Sequence, residues 1–149
     1  MAKPNTMKGS HLLILLGDGA SPEMFASPCG LTTKAINMDA STNDFNVPDC
    51  ADPDAPSWTE RIVSALSAAV PGNGVVSLAD YADWRTWFLS GLARNIQVSM
   101  NETLALGGGY YEMSAVLTTF NTSGNDGELA QLEVGIQSNG PVTWVDAAT

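Results

Sequence analysis

The stretch from Asp39 to Trp58 constrains the fold of this chain more than any other segment does. It contains no lysine or arginine and is interrupted by Pro48, Pro53 and Pro56, and its acidic residues are Asp39, Asp44, Asp49, Asp52 and Asp54. A connector of this length inside a short chain usually has a function or is disordered. Because the prolines stiffen it and Val47 and Trp58 supply apolar anchors, we expect a long acidic loop that a partner orders.

Length and charge set the broad class of the protein. At 149 residues we expect a single domain over 1–149, with a flexible N-terminal arm over 1–10. Sixteen acidic residues against six basic ones give a formal charge of −10, which repels phosphate and disfavours binding to nucleic acid. The apolar run from Leu12 to Leu16 is too short to cross a membrane and lacks the features of an export signal. The sequence therefore predicts a soluble protein, made in a cytoplasm, with no membrane partner.

Apolar segments in the first half predict strands. His11 to Leu16 has the composition of a buried strand, and Leu31 to Met38 supports a second one. Thr59 to Val70 is ambiguous, because its apolar residues fit both a helical stripe and one face of a strand. In either case we expect the turn-forming residues from Pro71 to Gly74 to end that segment.

The segment from Ser77 to Asn95 predicts a helix. Ser77 suits the N-cap, and Asp80 lies in the first turn, where a negative charge is favoured. An apolar stripe at helical spacing comprises Leu78, Tyr81, Trp84, Phe88 and Leu92. Arg85 projects within this stripe, so it must extend to solvent or find an acidic partner. Trp87 lies off the stripe, which fits either a partly exposed core residue or an anchor at a subunit contact. We list Trp87 and Arg85 as candidate subunit contacts.

The last third predicts a meander of strands. Tyr110 to Phe120 and Leu129 to Ser138 form two of them, joined by a turn-rich hairpin connection, and Val142 to Val145 allows a final short strand. In the second strand, apolar residues alternate with Gln131, Glu133 and Gln137. Glu112, Ser114 and Thr118 share one face of the first strand. Such polar faces fit a water-filled channel, but a sheet with one face in solvent shows the same alternation.

No catalytic, cofactor or metal site is predicted. His11 is a lone histidine beside an apolar strand, which is more often structural than catalytic. Cys29 and Cys50 are too few for a zinc site, and we expect buried, reduced thiols. Asp49, Asp52 and Asp54 are hard oxygen ligands that suit calcium, but their pattern lacks the central glycine and final glutamate of a calcium-binding loop. A solvated acidic loop is the preferred interpretation.

Three stretches together resemble a known family. They are Gly17-Asp18-Gly19 followed by Pro22-Glu23 and Phe25; the run Asp49-Cys50-Ala51-Asp52-Pro53-Asp54-Ala55-Pro56-Ser57-Trp58 leading to Glu60-Arg61; and the tryptophan-bearing helix from Ser77 to Asn95. In this order they resemble the major tail tube protein of long-tailed bacteriophages and gene transfer agents. The similarity covers residues 12–136.

The resemblance implies a mostly β (α+β) fold, a tail-tube-type β-sandwich or barrel with one packed helix. It implies homohexameric rings that stack into a hollow tube, and it favours a strand for Thr59 to Val70. Asp39 to Trp58 would be the loop that reaches the adjacent ring. We expect the polar faces to line the lumen, with Glu112, Ser114, Thr118, Gln131, Glu133 and Gln137 as the lumen-facing residues.

The resemblance also implies the location and partners of the protein. It places the chain in a virion tail or a gene transfer agent particle, together with tail terminator, tape measure and distal tail proteins. DNA would pass through the acidic lumen without specific binding, and no cofactor is implied. Because some relatives carry an additional C-terminal domain, a chain ending at Thr149 is expected to form a bare tube.

Two other functions remain open from the residues alone. One is a small acidic β-sandwich binding module for a sugar or protein, with calcium held by Asp49, Asp52 and Asp54. The other is a hydrolytic enzyme that uses His11 as its base, which is the weakest reading because no nucleophile and orienting group accompany it.

Overall fold

The computed structural model describes residues 3–148 and shows a mostly β fold with one α-helix, as predicted. Met1, Ala2 and Thr149 lie outside the described residues, so the predicted flexible arm over 1–10 is described only from Lys3. Short 3-10 turns lie at Gly9–His11 and Leu104–Leu106. The strands and the helix are β1 (Leu12–Gly17), β2 (Phe25–Ala26), β3 (Leu31–Lys34), β4 (Asn37–Val47), β5 (Trp58–Val75), α1 (Leu78–Ser90), β6 (Arg94–Met100), β7 (Gly109–Ser123) and β8 (Gln131–Asp146).

The eight strands form one antiparallel sheet in the order β2-β1-β6-β7-β8-β5-β3, with β4 also paired to β5. One face of this sheet carries the core, which α1 covers with Trp84 and Trp87. The other core residues alternate along the central strands and are Ile14, Leu16, Ala68, Val70, Ile96, Val98, Met113, Ala115, Leu117, Leu132, Val134 and Ile136. We call this the core face and the opposite side the polar face.

The predicted strand at Thr59 to Val70 is confirmed, but the turn-forming residues do not end it. β5 continues through Pro71 and both following glycines to Val75. Gly74 lies tightly beneath β3, because a Cβ atom there would meet the Gly30 carbonyl oxygen at 2.0 Å. The glycine therefore permits close approach of two backbones rather than a turn.

The helix is shorter than predicted. It ends at Ser90, where Gly91 adopts a left-handed conformation with φ of 66°, a common end for helices. Residues 94–100 form β6, which lies between β1 and β7. The first two of these residues were predicted to be helical. At the C-terminal end, Val142 to Val145 is not a separate strand but part of β8, which continues through an irregularity around Gly140.

Arg94 ties the helix to the sheet. Its Nε donates to the Gly17 carbonyl, its two terminal nitrogens each lie 3.1 Å from a carboxylate oxygen of Asp83, and its guanidinium lies 5.7 Å from the centre of the Trp87 ring. Next to it, the amides of Ala20 and Met24 donate to Oδ1 of Asp18 at 2.9 and 3.1 Å. These amides hold the pKa of Asp18 below its usual value of 3.8.

Candidate assembly surfaces

The polar face gathers most of the residues predicted to line a lumen. Gln131, Glu133 and Gln137 lie opposite Ser123, Asn121 and Val116 of β7, and all point away from the core. Glu112 and Ser114 lie on the same face, because Met113 and Ala115 between them are buried. Thr118 sits at a bulge in β7, where its Oγ1 donates to the Gly135 carbonyl at 3.1 Å.

Charge is distributed unequally between the two faces. Strand pairing assigns Asp39, Glu60, Glu112 and Glu133 to the polar face. Among the described strand residues, every cation lies on the core-face side: Lys34 is opposite Gly72, Arg61 is opposite Asp44 and Arg94 points to the helix. The polar face of the described sheet therefore carries carboxylates and no positive charge.

The predicted loop from Asp39 to Trp58 is half strand. Asp39 to Val47 belongs to β4 and pairs with β5 as far as Trp58, so only residues 48–57 are irregular. We call the two-stranded ribbon formed by residues 37–67 the arm. The strand from Asp39 to Val47 was missed because it buries no face: all residues of β4 are exposed, and its partner β5 becomes buried only at Ala68. Burial alternation, the usual signal of a strand, is absent there.

The arm exposes apolar side chains that its own chain does not cover. Trp58 is 89% exposed at the tip, and Leu66 is 79% exposed near the base. The others on the arm are Met38, Phe45, Val47, Ile62 and Val63. Scattered exposed apolar residues are normal, but their concentration on one two-stranded ribbon is typical of an interaction surface.

Of the tip aspartates, Asp49 accepts a hydrogen bond from the Ala51 amide at 2.9 Å. Among the residues that the structure describes, no group of three or more His, Cys, Asp or Glu side chains is arranged to hold a metal ion. Residues 48–57 form an irregular acidic connection between β4 and β5.

Trp87 is not an exposed anchor. Its side chain is 5% exposed, stacks on Trp84 with ring centres 5.9 Å apart, and donates from Nε1 to the Leu92 carbonyl. The prediction of Trp87 as a subunit contact is therefore wrong, because the helix directs both Trp84 and Trp87 toward the sheet. The predicted stripe is also wrong at its ends, since Leu78 and Leu92 are exposed. Arg85 is exposed, which is the first of its two expected arrangements, and its guanidinium lies 6.0 Å from the centre of the Tyr81 ring.

The remaining candidates have structural surroundings. His11 Nδ1 lies 2.5 Å from Oε1 of Glu102, which links the start of β1 to the turn after β6. Cys29 and Cys50 are both free and exposed, so the prediction of buried thiols is wrong. None of the described helices is long and apolar enough to cross a membrane.

Comparisons with known proteins agree with this architecture. The fold is similar to a chain in the tail of an empty gene transfer agent particle refined with C6 symmetry (24% identity, TM-score 0.79, covering 94% of this chain and 99% of that chain). It is also similar to a chain in the virion of a native gene transfer agent particle (23% identity, TM-score 0.76, covering 94% and 99%). A third similar structure is the SPP1 tail tube (8% identity, TM-score 0.67, covering 97% and 81%).

Among curated proteins, none matches the sequence. The sequence does match a family described as phage tail tube protein, over residues 6–144. That match spans β1 to β8 and includes both the arm and the helix. The chain therefore belongs to the phage tail tube protein family, which is a structural and not an enzymatic family.

Proposed function

We propose that this protein is the repeating subunit of a tail tube, in which six copies form a ring and rings stack around a DNA-conducting lumen. It acts in the tail of a virion or a gene transfer agent particle. The similar fold in a gene transfer agent tail of C6 symmetry supports the number six. The arm and the polar face supply the two surfaces that such an assembly needs.

The observation that carries the proposal is the excess surface of the isolated subunit. Its accessible area is 10103 Å², whereas a compact monomer of 15.6 kDa exposes about 7,300 Å². The excess lies in the same range as the area buried in obligate assemblies. Much of it belongs to the arm, whose residues from Asn37 to Ser67 are all exposed except in the tip turn at Ala55.

The lumen is formed by the polar face in this proposal. Its glutamines, threonines and asparagines are compatible with water, and its carboxylates repel the phosphates of passing DNA. A surface without positive charge lacks the ion pairs that hold nucleic acid to proteins. DNA therefore moves along the bore without specific binding.

The arm tip contacts the adjacent ring. Val47 and Trp58 are paired across the end of the ribbon, and their side chains remain 52% and 89% exposed. A neighbouring subunit that covers Trp58 gains about 2 kcal/mol or more from apolar burial. The exposed Arg85 on the helix is a second contact for a neighbouring copy. Terminator, tape measure and distal tail proteins would meet the ends and the bore of the finished tube.

Electron microscopy and DNA co-sedimentation test the proposal together. We expect rings or tubes of the purified protein, and little DNA retained by them. Gln137→Lys adds one positive charge per copy on the polar face, and Ala82→Lys adds the same charge on the exposed side of α1. We expect Gln137→Lys tubes to retain short DNA fragments in a salt-sensitive manner, and Ala82→Lys tubes to retain markedly less. A wild-type protein that stays monomeric at high concentration, or equal retention by the two variants, would contradict the proposal.

A further inference from the structure

The side of α1 that points away from the sheet carries exposed leucines. Leu78 and Leu89 are 85% and 76% exposed. Together with Ala82 and Arg85, they recur at helical spacing along one stripe, which we call the outer face of α1. A helix face that meets water normally carries polar and charged side chains. Leucines along one exposed stripe are instead typical of an interaction surface.

Arg85 is the cation in the middle of the outer face. Its guanidinium lies over the ring of Tyr81 from the same helix, 6.0 Å from the ring centre. Among residues 3–148 it forms no ion pair, whereas the other two arginines each pair with an aspartate. The outer face therefore presents a positive charge between two exposed leucines.

The arm tip, residues 47–58, has the complementary composition. Val47 and Trp58 expose apolar surface there. Asp49, Asp52 and Asp54 are exposed and form no ion pair within the described chain, and the segment contains no lysine or arginine. Leucines around a cation fit apolar side chains among carboxylates, because both the apolar areas and the charges then match.

The tip of a subunit cannot reach the outer face of its own helix. α1 begins shortly after β5 ends at Val75, and Tyr81 bonds there to Thr122 of β7. The arm leaves the sheet in the opposite direction, because β5 runs from Trp58 at the tip through Ala68 to its paired end. At about 3.3 Å per residue, Trp58 lies about 33 Å beyond Ala68. A second copy placed end to end with the first brings its helix to that tip.

We propose that the outer face of α1 is the receptor for the arm tip of a copy in the adjacent ring. Arg85 pairs with the tip carboxylates, and Leu78 and Leu89 cover Trp58. In the proposed tube, on which this pairing rests, the arm tip and Arg85 are the two halves of one contact. Tip and helix are different surfaces, so the contact is head-to-tail and repeats along a stack. Since six contacts join two rings, about a twofold loss at each multiplies to about 60-fold for the interface.

Charge reversal at Arg85 tests the pairing. Arg85→Glu places a carboxylate opposite the tip aspartates, so like charges meet. Lys8→Glu is the matched control, because it makes the same charge change at an exposed position outside α1. By negative-stain microscopy and sedimentation at low salt, we expect Arg85→Glu to form rings but at least tenfold less tube, while Lys8→Glu forms tubes normally. Ala82→Lys, which adds a cation to the outer face, should also form tubes. The defect of Arg85→Glu should shrink at high salt, because exposed charges are screened.

A charge swap separates this pairing from a general effect of charge. Asp52→Lys with Asp54→Lys changes the net charge of the tip from −3 to +1, and this double variant should stack poorly on helices that keep Arg85. Adding Arg85→Glu to the same chain is expected to restore tubes. If the wild-type protein forms no rings, the tube proposal fails. If wild-type tubes form and folded Arg85→Glu forms them equally well, or the swap restores nothing, the outer face is not the receptor.

Should Arg85→Glu not fold, cross-linking through Cys50 at the tip decides. In a Cys29→Ser, Ala82→Cys chain, a short bismaleimide should join tip to helix and give a ladder of covalent oligomers from tubes but not from isolated rings. A Cys29→Ser, Gln137→Cys chain, whose new thiol lies on the polar face, is the control and should give no ladder. Tubes of the Ala82→Cys chain without a ladder, or the same ladder from isolated rings, would overturn the assignment to the adjacent ring.

Discussion

Replacing Arg94 should reveal how strongly the helix is fastened to the sheet. The side chain is 21% exposed and makes three kinds of contact. Its charged hydrogen bond to the Gly17 carbonyl contributes about 1.5–3 kcal/mol. The ion pair with the half-exposed Asp83 contributes only about 0.2–1 kcal/mol. The interaction with Trp87 adds about 0.5–1 kcal/mol. Because such contributions are not additive, we expect Arg94→Ala to lower the free energy of unfolding by about 2–3 kcal/mol.

The matched variant is Asp83→Ala, which removes the ion pair but leaves the bond to Gly17. We expect it to cost about 0.2–1 kcal/mol. Urea denaturation of both variants and the double variant, at protein concentrations where the subunit is unassembled, measures the two costs and their coupling. Equal costs for Arg94→Ala and Asp83→Ala would refute the reasoning, because the ion pair would then carry the interaction rather than the carbonyl contact.

Three further predictions follow from named contacts. Asp18→Asn should destabilise the subunit near neutral pH. Because the folded pKa of Asp18 is lowered, the stabilising effect of the carboxylate is complete above the unfolded pKa of 3.8 and is lost as pH falls through the folded pKa. The melting temperatures of the two proteins should therefore converge in acid, and a difference that stays constant with pH would contradict this. Gly74→Ala should cost several kcal/mol or prevent folding, because its Cβ would lie 2.0 Å from a backbone oxygen, whereas Gly124→Ala, which meets only the Ala130 Cβ at 4.0 Å, should change the melting temperature little. Cys29 and Cys50 should both react with a thiol reagent in the free subunit, and Cys50, at the arm tip, should become protected on assembly; unchanged reactivity in tubes would argue against a tip contact.

The sequence predicts those parts of the fold that have one buried face and one solvated face. β8 is the clearest case, because Leu132, Val134 and Ile136 alternate with polar residues along a strand that covers the core. β1 is recognisable for its density of apolar residues. The polar face is predicted for the same reason. The bulge at Thr118 was not predicted, although it shifts the apolar alternation by one residue between Leu117 and Phe120.

The remaining elements were misjudged where burial comes from more distant contacts. Leucines and aromatic residues occur on several sides of α1, so its sequence does not show which side packs on the sheet. The buried side is the one that carries Trp84 and Trp87. β6 shows an apolar alternation at Ile96, Val98 and Met100 that could have been read as a strand. The arm is the hardest case, because its strands are stabilised by each other and, in our proposal, by a second copy.

The unsupported arm has a consequence for when tubes grow. An isolated two-stranded ribbon without a packed face is only marginally stable in water, so we expect the arm of a free subunit to fray toward its tip. Ordering the arm costs a free energy of about 1–2 kcal/mol per residue in lost backbone entropy. When two free subunits meet in solution, both arms must be ordered. A subunit that arrives at an existing end finds its template already ordered. Elongation should therefore be much faster than nucleation, and a lag phase that short tube seeds abolish is the expected kinetic signature.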